Sequence, residues 1–149
     1  MGPEPCRWAP GLPTYGILVP MARGSSFQVF FTGPTTLGDA AQALSRTMHV
    51  TTESAAGNAG LQVRRAEGAE PALEVGLSTE PNIAVEARQI AEYRKIEEFT
   101  AFDRRFEVYI DDLEQTLAEA ETMAAVQRTL QELTGGYAVQ SWSGAIHHP

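Results

Sequence analysis

The stretch "FQVFFTGPTTLGDAAQAL", residues 27–44, reads as a strand, a G-x-x-x-x-G loop and the start of a helix. Two interpretations compete for it: a loop that cradles phosphate, or a turn into a capped helix. Phosphate chemistry requires a Lys and then a Ser or Thr directly after the second glycine, because the ammonium meets the terminal phosphates and the hydroxyl meets Mg²⁺. Asp39 and Ala40 occupy those places. A carboxylate at a helix N-terminus is favoured by the backbone amides it faces, and it competes with any phosphate for them. Thr36 and Asp39 have the spacing of a reciprocal cap, and Leu37, Ala40, Ala41 and Leu44 supply one apolar helix face. Within the strand, Phe27, Val29 and Phe31 share one side while Phe30 takes the other, the pattern of a central strand covered on both faces.

Outward from this unit the chain keeps alternating. The small, polar run "TTESAAGNAG" from Thr51 reads as a mobile connection. Leu61 and Val63, then Leu73, Val75 and Leu77, mark two strands joined through "AEGAEP", a hairpin loop that predicts antiparallel pairing. After the Pro81-Asn82 start signal, Ile83, Ala87, Ile90 and Ala91 recur at helical spacing. "RRFEVYIDD" alternates cleanly, with Phe106, Val108 and Ile110 inward and Glu107 and Tyr109 outward. A long helix is predicted from Leu113 to Leu133, with Asp111 as cap, Glu114 as its reciprocal partner and Gly135-Gly136 as the stop. Its apolar residues fall on two directions: Leu113, Leu117, Ala120 and Ala124 form one stripe, and Val126, Leu130 and Leu133 another, with Met123 between. Such a helix bends or touches two surfaces. "GYAVQSW" adds a short last strand before an "SGAIHHP" tail.

At 149 residues the chain is one domain, able to bury about 70% of the surface its unfolded form exposes. Met1 to Pro20 holds five of the nine prolines and no sustained periodicity. It reads as a dispensable tail, with Met21 a second start and residues 21–149 the folded domain. Ile17-Leu18-Val19 is too short for a secretory signal, and no run approaches the ~20 apolar residues of a membrane span. The single Cys6 excludes an internal disulfide and fits a reducing cytoplasm. A net charge of −8, from 19 acidic and 11 basic side chains, argues against nucleic acid and favours a basic protein partner.

No reaction centre or cofactor site emerges from the motifs. His49 stands alone, and His147-His148 lack a third donor at metal-ligand spacing. Ser141 and Ser143 flank Trp142 without a nucleophile elbow. Glu107 and Tyr109 project from one strand face and form the one acid–base pair worth carrying forward. On the long helix Glu114, Glu121 and Glu132 point one way, with Arg128 close by, as a solvated acidic face open to a partner.

The run "FEVYIDDLEQTLAEAETMAAVQRTLQELTGGYAVQSWSG", residues 106–144, resembles the closing strand, helix and Trp-bearing strand of small bacterial immunity-type proteins of polymorphic toxin systems. The resemblance covers about a quarter of the chain and implies neutralisation of a toxin by occlusion. The expectation is an α+β domain with a mostly antiparallel sheet and two or three helices, a ferredoxin-like core extended by a C-terminal helix and strand. Its expected work is non-enzymatic binding of a basic partner through Asp111, Asp112, Glu114, Glu121, Tyr137 and Trp142, without cofactor or metal. A self-assembling component using its sheet edges, and a small enzyme with an unrecognised site, marked by a pocket holding Glu107, Tyr109 or a histidine, are the alternatives.

Overall fold

The structure, a computed structural model, describes residues 25–55 and 58–149. The expected tail at 1–20, with Cys6, lies outside the described residues. Among the described residues seven strands form one sheet: β1 (Ser25–Phe31), β2 (His49–Ala55), β3 (Asn58–Arg64), β4 (Leu73–Ser78), β5 (Arg104–Ile110), β6 (Tyr137–Gln140) and β7 (Ile146–His147). Four helices accompany them: α1 (Leu37–Leu44), α2 (Pro81–Arg94), α3 (Leu113–Ala118) and α4 (Ala120–Thr134), with a 3₁₀ turn at Glu97–Ala101. The class is α+β, and every neighbouring pair of strands is antiparallel.

The sheet order is β2-β3-β4-β5-β1-β6-β7, which places β1 in the interior of the sheet between β5 and β6, as its two-sided pattern requires. Because β5 and β6 both run antiparallel to β1, they are parallel to each other, and the α3–α4 connection joins them across it. That is one split βαβ unit. A ferredoxin-like core needs a second, in which β4 and β5 would lie apart. Here β4 and β5 are adjacent and antiparallel over Leu73↔Ile110 to Ser78↔Arg105, so the ordering departs from that core while the class stands. Helices also cover both faces of the sheet.

On the first face, Phe27, Val29 and Phe31 join Leu61, Val63, Leu73, Val75, Phe106, Val108 and Ile110 beneath α1 and α4. The rings of Phe31 and Phe106 stack with centroids 5.2 Å apart. On the second face, Phe30, Tyr137 and Val139 are covered by Ile83, Ala87, Ile90 and Ala91 of α2 and by Phe99 and Phe102 of the 3₁₀ segment. The loop before α1 is the capped turn its sequence predicts: Thr36 N donates to Asp39 Oδ2 at 2.9 Å, and Asp39 N donates to Thr36 Oγ1 at 3.1 Å. Asp39 is thereby committed to the helix N-terminus.

Four expectations need correction. The run from Thr51 is not a mobile connection: Thr51–Ala55 completes β2 and Asn58–Gly60 opens β3, paired in regular register. The long helix is two helices, broken at Glu119, whose φ of −114° and ψ of 49° leave the helical region. The break lets α4 turn Met123, Val126 and Leu130 to the core while Leu117 faces solvent. The cap of α3 is Asp112, one residue later than expected, with Oδ1 accepting from Gln115 N at 3.0 Å. Finally the C-terminal tail carries β7, which pairs with Ala138 and Val139. Gln131 of α4 holds it there, its buried amide donating to His147 O at 2.9 Å and to Gly136 O at 3.1 Å.

Candidate functional site

Two of the acidic residues singled out by the sequence, Asp111 and Asp112, follow the last residue of β5 at one end of the sheet. β5 finishes at Ile110, opposite Ser25 at the start of β1 and Leu73 at the start of β4. Asp111 and Asp112 leave the sheet there and are exposed. β6 ends beside them: Ser141 N donates to Ser26 O at 2.9 Å, and Ser26 N donates to Ser141 Oγ at 3.0 Å. Trp142 follows, half-buried against the first core. Glu114 lies in the first turn of α3 and Glu121 in the first turn of α4, both exposed and both favoured by the helix N-terminus they flank. At the α3–α4 break Glu119 reaches Arg65, just past β3, at 3.9 Å, and Arg64 pairs with Glu70 at 2.9 Å. Leu117, between Glu114 and Glu121 in sequence, is 45% exposed, whereas Leu113 is half-buried against the first core. Exposed Leu117 thus shares α3 and the start of α4 with exposed carboxylates.

Tyr137 does not join this group. It starts β6 opposite Phe30, at the far end of the strand and on the other face. Only 8% exposed, its ring packs edge-on against Phe99 at 5.3 Å and lies 4.9 Å from the ring of His148. The aromatic residues that bury it come from the 3₁₀ segment, which the sequence reading left unassigned.

Glu107 and Tyr109 occupy the second face, as alternation requires, and they are knitted into a clamp. Tyr109 Oη donates to Glu107 Oε1 at 2.6 Å, and Arg105 Nε donates to Glu107 Oε2 at 2.7 Å. Arg105 also pairs with Glu86 of α2 and lies over the ring of Phe30, 5.4 Å from its centroid. Burial by itself would lower the pKa of Arg105, but Glu86 and Glu107 together raise it above its ordinary value. With both oxygens of Glu107 engaged, the pair ties α2 to β5. Two surface depressions lie elsewhere, one lined by Val85, Arg88, Glu92 and Lys95, the other by Gln127, Arg128, Gln140 and His147, and neither is lined by Glu107 or Tyr109.

Among the described residues no group of three or more His, Cys, Asp or Glu side chains is placed to hold a metal ion, and no helix is long and apolar enough to cross a membrane. In comparisons with known proteins, no family model, no curated protein and no solved structure matches this chain.

Proposed function

We propose that this chain is a non-enzymatic binding protein that docks a basic protein partner on the acidic end of its sheet, in the manner of an immunity-type inhibitor that occludes a toxin. The observation that carries the reading is the exposed Leu117, which lies between Glu114 and Glu121 in sequence and just before the α3–α4 break. An apolar centre inside a polar rim is the anatomy of a protein interface. The rim carboxylates steer encounter with a cationic surface, and the centre supplies desolvation once contact is made.

The test is capture of a partner by the full chain from lysate, identification by mass spectrometry, and affinity measurement with the purified partner. Glu114→Lys and Glu121→Lys together should weaken binding at least about tenfold, with the loss concentrated in the association rate and shrinking as salt rises. Leu117→Ala should weaken it about fivefold or more through faster dissociation. Glu92→Lys on α2 should leave affinity unchanged. The immunity-type reading further requires the partner to be an enzyme silenced by one equivalent of this chain. A partner indifferent to Glu114, Leu117 and Glu121, or the absence of any captured protein, would overturn the proposal.

A further inference from the structure

The break between α3 and α4 has no local cause in the sequence. Sharp interruptions of a helix ordinarily fall at Pro, at Gly or Ser pairs, or where a group inserts into the hydrogen-bond ladder. Residues 113–134 contain no Gly, Pro or Ser, and Ala118, Glu119, Ala120 and Glu121 are all strong helix formers. The ladder is nonetheless interrupted: Thr122 N donates to Glu119 O at 3.1 Å, where a continuous helix would use Ala118 O. No side chain caps the start of α4. Tertiary packing therefore imposes the break, and the burial pattern shows how. At about 100° per residue, Met123, Val126 and Leu130 of α4 point about 80° away from Leu113 and Thr116 of α3, so a straight helix cannot turn both sets to the core.

What α3 gains by turning inward is small. Leu113 becomes half-buried against the first core, and Thr116 is 1% exposed with its hydroxyl lacking a hydrogen-bond partner among the described residues. Burial of an unpaired hydroxyl is unfavourable and offsets part of what Leu113 contributes. Leu117 stays at the surface, and the pair between Glu119 and Arg65, 3.9 Å apart with both side chains well exposed, is a weak latch. Against these stand the ladder bonds and the helix propensity that a continuous helix would recover.

We infer that residues 113–134 form a two-state element, broken at Glu119 in the major state and continuous as one helix in a minor state, populated on the order of 1–10% in the free chain. In the minor state α3 leaves the core, Thr116 returns to water, and Leu113, Leu117, Ala120 and Ala124 align along one side of the helix. Glu114 and Glu121, on separate helices in the major state, then stand seven residues apart on a common side. The exchange belongs to the free chain and does not rest on the docking proposed above. It gives that surface two shapes, and a partner that binds one of them better shifts the balance toward it.

The experiment has two readouts on the full chain. In the parent, amide relaxation dispersion should appear at residues 113–122 and fade about fivefold in Glu119→Asn, which supplies α4 with the cap it lacks. Spin labels on cysteines at the exposed positions Glu114 and Arg128, in a chain carrying Cys6→Ser, then report the shape. Fourteen residues of continuous helix rise about 21 Å, and the broken form is shorter. Leu113→Gln combined with Glu119→Ala removes the inward anchor and the latch while keeping helix propensity, and should make a narrow peak near ~21 Å the main distance. Retained amide-exchange protection across residues 123–130 identifies a double variant that is still folded. Absence of dispersion in the parent would overturn the inference. So would a folded double variant that keeps the parent distance, or one whose distances broaden without that peak because α3 has frayed.

Discussion

Gly136 stands where α4 hands the chain to β6, and a side chain there has no room. A Cβ on Gly136 would lie 2.2 Å from Phe30 O, 3.1 Å from Phe30 C and 3.0 Å from Thr134 Oγ1. The nearest obstacle is backbone of the central strand, held in place by β5 on one side and β6 on the other, so it cannot swing aside as a side chain would. Overpacking by one methyl costs typically about 1–3 kcal/mol, and an immovable neighbour places Gly136→Ala at the upper end, about 3 kcal/mol. For a chain of this length that corresponds to a fall in Tm of roughly 6–12 °C. Two controls separate the clash from general glycine effects. Gly135 caps α4 with φ at 71° and open space around its Cβ position, so Gly135→Ala should cost about 1–2 kcal/mol for the left-handed backbone alone. Gly76 has nothing within 4 Å and lies inside β4, so Gly76→Ala should be within about 0.5 kcal/mol of the parent. The assay is urea unfolding followed by the fluorescence of half-buried Trp142, with Tm from calorimetry. Equal stability of the Gly136→Ala and Gly76→Ala proteins would refute the steric argument.

Two further outcomes are expected. Arg105→Met leaves Glu86 and Glu107 without their shared cation; since both carboxylates are partly exposed, the loss should be about 2 kcal/mol rather than the ~3–5 of a fully buried pair, measured by urea unfolding. A raised folded-state pKa stabilises below the unfolded value and loses that effect only as pH climbs through the folded one, so the Arg105 contribution should stay constant between about pH 6 and pH 10; a steep change in that window would contradict the assignment. Gln131→Leu removes the donors to Gly136 O and His147 O and should cost about 1–3 kcal/mol, with amide exchange accelerated in residues 145–148; unchanged protection there would show that β7 is held by other means.

Much of the architecture was legible because burial imposes periodicity. Phe27 to Phe31, Phe106 to Ile110 and Ile83 to Ala91 are buried as their spacing predicts, and the cap of α1 follows from two residue types three positions apart. β2 escaped because an edge strand has water along one side and across much of its faces, so Thr51 and Thr52 serve as well as valine and no alternation survives. The break at Glu119 was written in the two misaligned apolar stripes, but a stripe cannot tell a bend from two separate helices. At the candidate site, Asp111, Asp112 and Glu114 were legible as neighbours because they are close in sequence. Exposure of Leu117 was not, since it depends on where the break swings α3. Nor was the burial of Tyr137, which rests on Phe99 and Phe102 from a segment too short to carry a period.

The placement of β1 sets a schedule for biosynthesis. Its apolar residues, Phe27 to Phe31, leave the ribosome early, yet its two flanking strands begin at Arg104 and Tyr137. At about 5–20 residues per second, roughly 5–20 s separate the appearance of β1 from that of its last partner. Until Arg104–Ile110 has emerged, this apolar segment has neither of its ladder partners. β1 precedes its sheet neighbours in the chain and gains its second one only when β6 appears.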